Sequence, residues 1–347
     1  GRRVVVCCSG QHRELVHGAL DSFGIVPDLG LDTMVAGQSL AALHAKLFAA
    51  FGEILARVQP TTVVIQGDTA TVAIAAWAAF LARIEVAHVE AGLRSGDKWH
   101  PFPEEVNRRI TGVLADWHFA PTALAVAALR SEGVDEARIV LAGNTAVDAV
   151  FALRQRLNDA GEEPSTRDNG PLMVTTIHRR ENFGQPLRDV CGAIRELVER
   201  HPRLRVVVPL HPNPEAGDMV RAELHGIPSV ELCDALDYRS FVRLLLQATL
   251  VLSDSGGIQE EGPSLGLPVL VARDVTERPE GVEAGAALLV GTDPARIVHH
   301  VGRLLDDPVA YAAMARPRYV YGDGLAAERI ADVLLEGRLQ RPVFVSE

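Results

Sequence analysis

Residues 254–261 read Asp254-Ser255-Gly256-Gly257-Ile258-Gln259-Glu260-Glu261, between an apolar run at Ala248–Leu252 and a second at Pro268–Ala272. Strand, glycine-rich turn, helix and strand in that order leave bare backbone N–H groups at a helix N-terminus, which makes an anion seat. Glu260 and Glu261 follow about a turn and a half further on, where a carboxylate suits the hydroxyls of a ribose. Ser255 and the two glycines are also ordinary helix-cap residues. The charged stretch Arg273-Asp274-Val275-Thr276-Glu277-Arg278-Pro279-Glu280 favours the ligand reading. It follows a strand end, where open α/β sheets bind their ligands, and it is too polar for a simple connection. The implied ligand is a nucleotide or nucleotide-sugar.

Working outward, short Val/Ile-rich runs alternate with longer helical patterns, the signature of βαβ units and a parallel sheet. The first half reads as strands at Val4–Cys8, Thr62–Gln66, Val86–Glu90 and Arg138–Leu141. Its helices fall at 11–22, Leu40–Val58, Ala70–Leu81, Pro103–Ala115, Leu124–Ser131 and Thr145–Leu157. Residues 158–171 are polar and rich in Gly, Pro and Asp, which predicts an exposed linker. A second series follows, with strands at Leu172–Thr176, Leu204–Val208 and Ser229–Leu232 and helices at Pro186–Glu199, Ala216–Leu224 and Tyr238–Gln247. The expectation is α/β, two Rossmann-like doubly wound domains facing across a cleft, with the chemistry at strand ends. The first domain spans 1–160 and the second 171–325.

With 347 residues the chain exceeds the size at which one core usually keeps growing. The net charge of −11, without a dense Lys/Arg block, argues against a duplex nucleic-acid partner. The longest apolar run, Val72–Ala82, is shorter than the roughly 20 residues that span a bilayer, so no transmembrane helix is expected. No basic segment followed by an apolar core and a cleavage site opens the chain. Cys7, Cys8, Cys191 and Cys233 show no CxxC spacing and read as reduced, buried thiols of a cytoplasmic protein.

Asp68 and Glu90 each close an apolar strand on the same side of the first sheet, so their carboxylates converge in a geometry suited to acid/base work. Asp68 also fits a helix cap, Glu90 a partner for Arg94, and Glu104 and Glu105 the first turn of a helix favoured by its dipole. In the second half, Thr176-Ile177-His178-Arg179-Arg180-Glu181-Asn182 ends a strand with one imidazole and two guanidiniums, the groups a departing diphosphate requires. A surface pair between Glu181 and either arginine is the plainer use of those charges. His88, His118 and His211 lack metal-ligand spacing and read as ordinary hydrogen-bonded histidines.

Several segments together resemble the non-hydrolysing UDP-N-acetylglucosamine 2-epimerases. They are Gly67-Asp68-Thr69, His88-Val89-Glu90-Ala91-Gly92-Leu93-Arg94, Pro103-Glu104-Glu105-Val106-Asn107-Arg108, Gly143-Asn144-Thr145, His178–Asn182, Asp254–Glu261, Thr276–Glu280 and Tyr321-Gly322-Asp323-Gly324. They occur in family order over nearly the whole chain.

The resemblance implies a GT-B-like fold, UDP held mainly by the second domain, and a C-terminal helix at Ala326–Leu339, within 326–347, returning to the first. It implies reversible epimerisation at carbon 2 of UDP-N-acetylglucosamine, by UDP elimination to a 2-acetamidoglucal and re-addition from the opposite face. By position Asp68, Glu90 and Glu104 match the catalytic carboxylates and His178 the phosphate-side histidine. Ser255, Gly256 and Gly257 match the phosphate seat, Glu261 the ribose acid, and Arg108 a positioning arginine. Arg179 and Arg278 join the substrate-binding set. Gln11, Gln38 and His211 occupy places matching a regulatory UDP-sugar site, with Gly37 where some members carry arginine. The partners implied are UDP-N-acetylglucosamine, UDP and a second copy of the chain; no cofactor and no catalytic metal are expected. A non-catalytic UDP-sugar binder and a hydrolysing epimerase releasing N-acetylmannosamine and UDP are the alternatives.

Family members begin with one more strand, whose Gly-Thr-Arg-Pro-Glu loop brings an arginine to the active site. Here Cys7-Cys8-Ser9-Gly10-Gln11-His12-Arg13 aligns with the family's second strand and turn. The expectation is that the sequence given lacks an N-terminal segment; a naturally shortened enzyme and a binder that does not turn over its nucleotide-sugar are the alternatives. Without it the first sheet exposes apolar edges and the diphosphate clamp loses a cation.

Overall fold

The computed structural model describes residues 3–10, 13–35, 37–162, 170–179, 182–210 and 214–345. Gln11, Arg180, Glu181 and His211 therefore lie outside the described residues. The chain divides into two compact units, one running to Asp148 and resuming at Gly322, the other Ala149–Tyr321. The division falls inside a helix and at Tyr321–Gly322, whereas composition points to 158–171 and the family resemblance to Ala326.

The first unit opens with β1 (Cys7–Cys8), α1 (Arg13–Ser22), β2 (Leu29–Gly30) and α2 (Leu40–Val58). It continues with β3 (Thr62–Gln66), α3 (Ala70–Leu81), β4 (Glu85–Val89), α4 (Glu104–Leu114), β5 (Trp117–Ala120), α5 (Ala123–Ser131), β6 (Ile139–Leu141) and the start of α6 (Thr145–Asp159). β1 and β2 pair with each other, while β3-β4-β5-β6 form a separate parallel sheet.

Local chemistry sets these elements. Ser39 caps α2 by accepting from the Ala42 N–H at 3.2 Å. α3 is almost wholly apolar, and its buried Ala70, Ala73, Ala76 and Ala79 let it pack closely between α2 and α4. Its opposite face leaves Trp77, Phe80 and Leu81 in solvent.

The second unit contains β7 (Leu172–Thr176), α7 (Gln185–Arg200), β8 (Arg205–Pro209), α8 (Pro214–Leu224), β9 (Val230–Cys233), α9 (Tyr238–Gln247) and β10 (Leu250–Ser253). After these come α10 (Gly256–Ser264), β11 (Val269–Val271), α11 (Pro279–Glu283), β12 (Ala287–Leu289), α12 (Pro294–Asp306) and α13 (Pro308–Met314). Six parallel strands run β12-β11-β10-β7-β8-β9, the doubly wound order in which the winding reverses between the first and fourth strands of the unit. β7 and β10 flank that reversal, so the segments leaving them, 177–179 and 254–261, sit at the switch point where such sheets bind ligands. Both strands are buried along their length, as central parallel strands covered on two faces must be.

Gly262 lets α10 lie against the sheet: a Cβ there would meet Val269 Cγ2 at 2.4 Å. α14 (Ala326–Glu336) belongs to the first unit, where Ile330 and Val333 join Ala87, Val89, Phe119 and Val140 in one apolar cluster. Burying each of the larger side chains among them, Ile330, Val333, Val89, Phe119 and Val140, contributes about 1.5–3 kcal/mol. The helix stops at Gly337, in the left-handed conformation at φ 71°, short of the expected Leu339.

Three expectations need correction. The strand expected at Val4–Cys8 is confined to Cys7–Cys8: it has one strand neighbour, and Val4 is 78% exposed. β5 had no counterpart in the sequence reading, because Trp117-His118-Phe119-Ala120 lacks β-branched residues. The four thiols are unpaired, but Cys191 alone is buried; Cys7 is exposed and Cys8 and Cys233 are half-buried, since their short strands lie at sheet margins.

Candidate functional site

In the first unit, Asp68 and Glu90 leave neighbouring parallel strands, β3 and β4, at their C-terminal ends. Gly67 donates its N–H to the Val89 carbonyl at 3.1 Å, and its own carbonyl bonds His88 Nε2 at 2.8 Å. Burial drives the His88 imidazole down to about 4, so the ring is neutral and holds the turn as a hydrogen-bond partner. His118, also buried, is lowered to about 4 in the same way. Glu90 adopts φ 64°, a left-handed conformation costly for a side-chain-bearing residue and frequent where a functional group must be aimed.

α4 brings two further carboxylates, Glu104 and Glu105, and the cations Arg108 and Arg109. Arg108 pairs through Nη2 with Asp68 and through Nη1 with Glu105 at 3.3 Å, while Asn107 Nδ2 donates to the Asp68 carbonyl at 2.9 Å. Glu105 is wholly buried and also accepts from Arg109 Nε at 3.1 Å and from the Ser95 and Gly96 N–H groups at 3.0 and 3.3 Å. Glu104 is half-buried in the first turn. The alternative uses weighed for these acids are thus resolved in two cases. Asp68 engages Arg108, and Arg94 goes to Glu132, at 2.8 and 2.7 Å, not to Glu90. Gln38 bonds the Thr33 carbonyl at 3.1 Å and Lys46 Nζ at 3.4 Å.

In the second unit the organising residue is Asp254, fully buried at the end of β10. Its carboxylate accepts from the His178 N–H at 3.1 Å, the Arg179 N–H at 2.9 Å and Asn182 Nδ2 at 2.9 Å. His178 Nδ1 lies 3.2 Å from Asp254 Oδ1, a contact that orients the imidazole. Ser255 caps α10 without a side-chain bond to the helix, so the first amides of α10 are not taken up by their own cap. Gly256 is needed because a Cβ there would stand 2.7 Å from Arg278 Nη1.

The guanidiniums beside this seat are already engaged. Arg179 Nη2, Arg273 Nη1 and Arg278 Nη1 converge on Glu277 at 3.3, 2.8 and 2.6 Å, and Arg278 Nε pairs with Glu260. Burial raises the Glu277 carboxyl, but Arg278, Arg273 and Arg179 together outweigh it and bring it to about 2. Arg179 therefore pairs with Glu277. Glu261, 8% exposed, accepts from the Tyr238 hydroxyl at 2.9 Å; burial lifts its carboxyl to about 7 despite that bond.

Each unit thus gathers its own share of the residues singled out from sequence: Asp68, Glu90, Glu104 and Arg108 in one, His178, Arg179, Ser255–Gly257, Glu261 and Arg278 in the other. The sequence assigns no individual role to Asp254, Glu277 or Tyr238, and to Glu105 only a place in the first turn of a helix. Glu105, Arg108 and Arg109 stand at i, i+3 and i+4, a spacing that would have marked the buried cluster, and Asp254 closes a strand as Asp68 does. Among the described residues no group of three or more His, Cys, Asp or Glu is arranged to hold a metal, and no helix is long and apolar enough to cross a membrane.

Comparison with known proteins identifies the family. The family model for UDP-N-acetylglucosamine 2-epimerase matches residues 2–335. A UDP-N-acetylglucosamine 2-epimerase of Yersinia pestis is 45% identical over 95% of this chain and 90% of its own. The crystal structure of the Neisseria meningitidis UDP-GlcNAc 2-epimerase bound to UDP-GlcNAc is 38% identical with a TM-score of 0.91, covering 96% of this chain and 91% of that one. The Methanocaldococcus jannaschii UDP-GlcNAc 2-epimerase in complex with UDP-GlcNAc and UDP is 30% identical with a TM-score of 0.76, covering 92% and 87%.

Proposed function

This chain belongs to the UDP-N-acetylglucosamine 2-epimerase family and is an isomerase, and from that premise we propose that it interconverts UDP-N-acetylglucosamine and UDP-N-acetylmannosamine without net hydrolysis. The observation that carries the reading is the pairing, within the second unit, of the Gly256 and Gly257 amides, which the Ser255 side chain does not cap, with an imidazole oriented by buried Asp254. That combination suits a diphosphate which must be held both as part of the substrate and as a leaving group.

The proton at carbon 2 is weakly acidic, since no carbonyl stands next to that carbon in the ring. Elimination avoids the difficulty. The bond from carbon 1 to the UDP oxygen breaks with its electron pair going to UDP, a carboxylate takes the carbon 2 proton, and a carbon 1–carbon 2 double bond forms. Re-addition of UDP to carbon 1 and return of a proton to the other face of carbon 2 complete the epimerisation. Asp68, Glu90 and Glu104 are the carboxylates for the two proton transfers. The Arg108 pairing fixes the position of the Asp68 side chain, as proton transfer at a defined carbon requires.

On the leaving-group side, His178 Nε2 hydrogen-bonds the diphosphate, and the α10 amides with Arg179 and Arg278 take its charge. Glu261 receives the ribose hydroxyls. The Glu277 contacts keep Arg179, Arg273 and Arg278 pre-positioned, so little reorganisation is needed when negative charge develops.

The working form in this reading is a homodimer, supported by the exposed Trp77, Phe80 and Leu81 face of α3 and by Val113, 85% exposed, on α4. The unpaired thiols, with Cys7 exposed, fit a reducing cytoplasm.

Asp68→Asn and Glu90→Gln test the assignment. Each is expected to fold, to bind UDP, and to lose epimerisation by about a hundredfold or more, the usual worth of a general acid or base. Turnover near wild type in both would sink it. Release of free N-acetylmannosamine with UDP would instead identify a hydrolysing enzyme, and UDP binding without turnover in the unaltered chain a binder.

A further inference from the structure

The loop between β4 and α4 carries two aromatic rings that the core does not cover. Trp99 is 59% and Phe102 56% exposed, with ring centroids 5.7 Å apart and planes inclined by 29°. Lys98 Nζ lies 5.3 Å from the centroid of the Trp99 ring. The loop is held by its own polar groups: Asp97 accepts from the Trp99 N–H at 2.9 Å and bonds His100 Nδ1 at 2.8 Å, and the His100 N–H donates to the Asp97 carbonyl at 3.0 Å.

Its base is tied to the carboxylate cluster. The Ser95 and Gly96 N–H groups both end on Glu105, Glu105 pairs with Arg108, and Arg108 pairs with Asp68. Phe102 stands two residues before Glu104. The aromatic pair and the acids are therefore built on one hydrogen-bonded frame, although neither ring contributes to any apolar cluster of the unit.

We propose that Trp99 and Phe102 are specificity-determining residues that pack against the pyranose ring of the UDP-sugar and take no part in binding UDP itself. The proposal rests on the epimerase reading. A pyranose presents a face of C–H groups, and the negative face of an indole or phenyl ring attracts such weakly positive edges. The Lys98 ammonium shows the same attraction; its contact is exposed and gives way readily to a ligand that also buries apolar area. Because the loop shares Glu105 with Arg108, seating the sugar against it also fixes the register of carbon 2 relative to Asp68.

The experiment measures kcat and KM for UDP-N-acetylglucosamine, and Kd for UDP by calorimetry, in the unaltered protein and in Trp99→Ala, Phe102→Ala and Trp99→Phe. Tryptophan emission is followed in parallel on adding UDP-N-acetylglucosamine or UDP. Each alanine variant is expected to raise KM about 3- to 10-fold, the scale of one aromatic contact, with a smaller change in kcat. UDP affinity should stay within about twofold, and Trp99→Phe should keep near-normal KM. The sugar nucleotide, and not UDP, should change the emission, and Trp99→Ala should abolish that change. Unchanged KM in both alanine variants, equal loss of UDP affinity, or the same emission change with UDP alone would overturn the proposal. Dissociation of an oligomer with KM unchanged would overturn it too, assigning the rings to a subunit contact. If the unaltered protein neither binds UDP nor turns over, the epimerase reading itself fails; normal turnover with unchanged KM in the variants sinks only the role of the rings.

Discussion

Glu261→Gln removes a titration that burial creates. The carboxyl of Glu261 is lifted from 4.5 to about 7 because the second turn of α10 is dry around it, with the Tyr238 hydroxyl at 2.9 Å only partly offsetting the loss of water. Below pH 4.5 the side chain is protonated in both folded and unfolded chains, and above about 7 it is ionised in both. Between those limits the folded chain retains a proton that the unfolded chain releases, so stability falls as pH rises. At about 1.4 kcal/mol per pH unit the whole interval is worth about 3 kcal/mol. Urea unfolding of both proteins between pH 4.5 and 8, at constant salt and on the transition that UDP shifts, should show the stability of the unaltered chain falling relative to Glu261→Gln by about that amount. Other carboxylates cancel in the difference. Saturating UDP should move the titration to lower pH, because ribose hydroxyls donate to the ionised form. Parallel stability curves, or a titration unaffected by UDP, would refute both the buried state of Glu261 and its contact with ribose.

Arg108→Met strands wholly buried Glu105 beside a lost cation and is expected to cost about 3–5 kcal/mol in urea unfolding, with part of the loss recovered in the double variant with Glu105→Gln. Gly256→Ala pushes a methyl group to within 2.7 Å of Arg278 Nη1 and should weaken UDP binding about tenfold by calorimetry, with circular dichroism unchanged. Trp77→Lys together with Phe80→Glu should convert a dimer to a monomer in light scattering, since charges on the exposed face of α3 cannot be buried in a contact; an unchanged mass would move the interface elsewhere.

The sequence revealed most where local pattern and tertiary role agree. Leu40–Val58, Ala70–Leu81, Leu172–Thr176 and Tyr238–Gln247 coincide with their elements because apolar period, caps and breakers coincide there. The strand Trp117–Ala120 escaped because four residues with a histidine and no β-branched side chain carry no strand signature, and its place is settled by pairing with β4 and β6. The strand-end acids and the glycine-rich seat could be read because strand ends are where parallel sheets expose groups. What could not be read was which charge meets which. Glu277 lies 98 residues from Arg179, and Asp254 lies 76 residues from His178. Such pairings depend on sheet order, which no local spacing encodes. Local spacing offers Arg179 only a diphosphate or a neighbouring Glu181, and it does not separate buried Glu105 from half-buried Glu104.

The central claim is that this chain moves the proton at carbon 2 while UDP departs and returns. Incubating the purified protein with UDP-N-acetylglucosamine in deuterated water and following the sugar by NMR tests it directly. The account predicts deuterium at carbon 2 in step with the appearance of UDP-N-acetylmannosamine, with no accumulation of free sugar. Retention of protium at carbon 2 while UDP binds would contradict it.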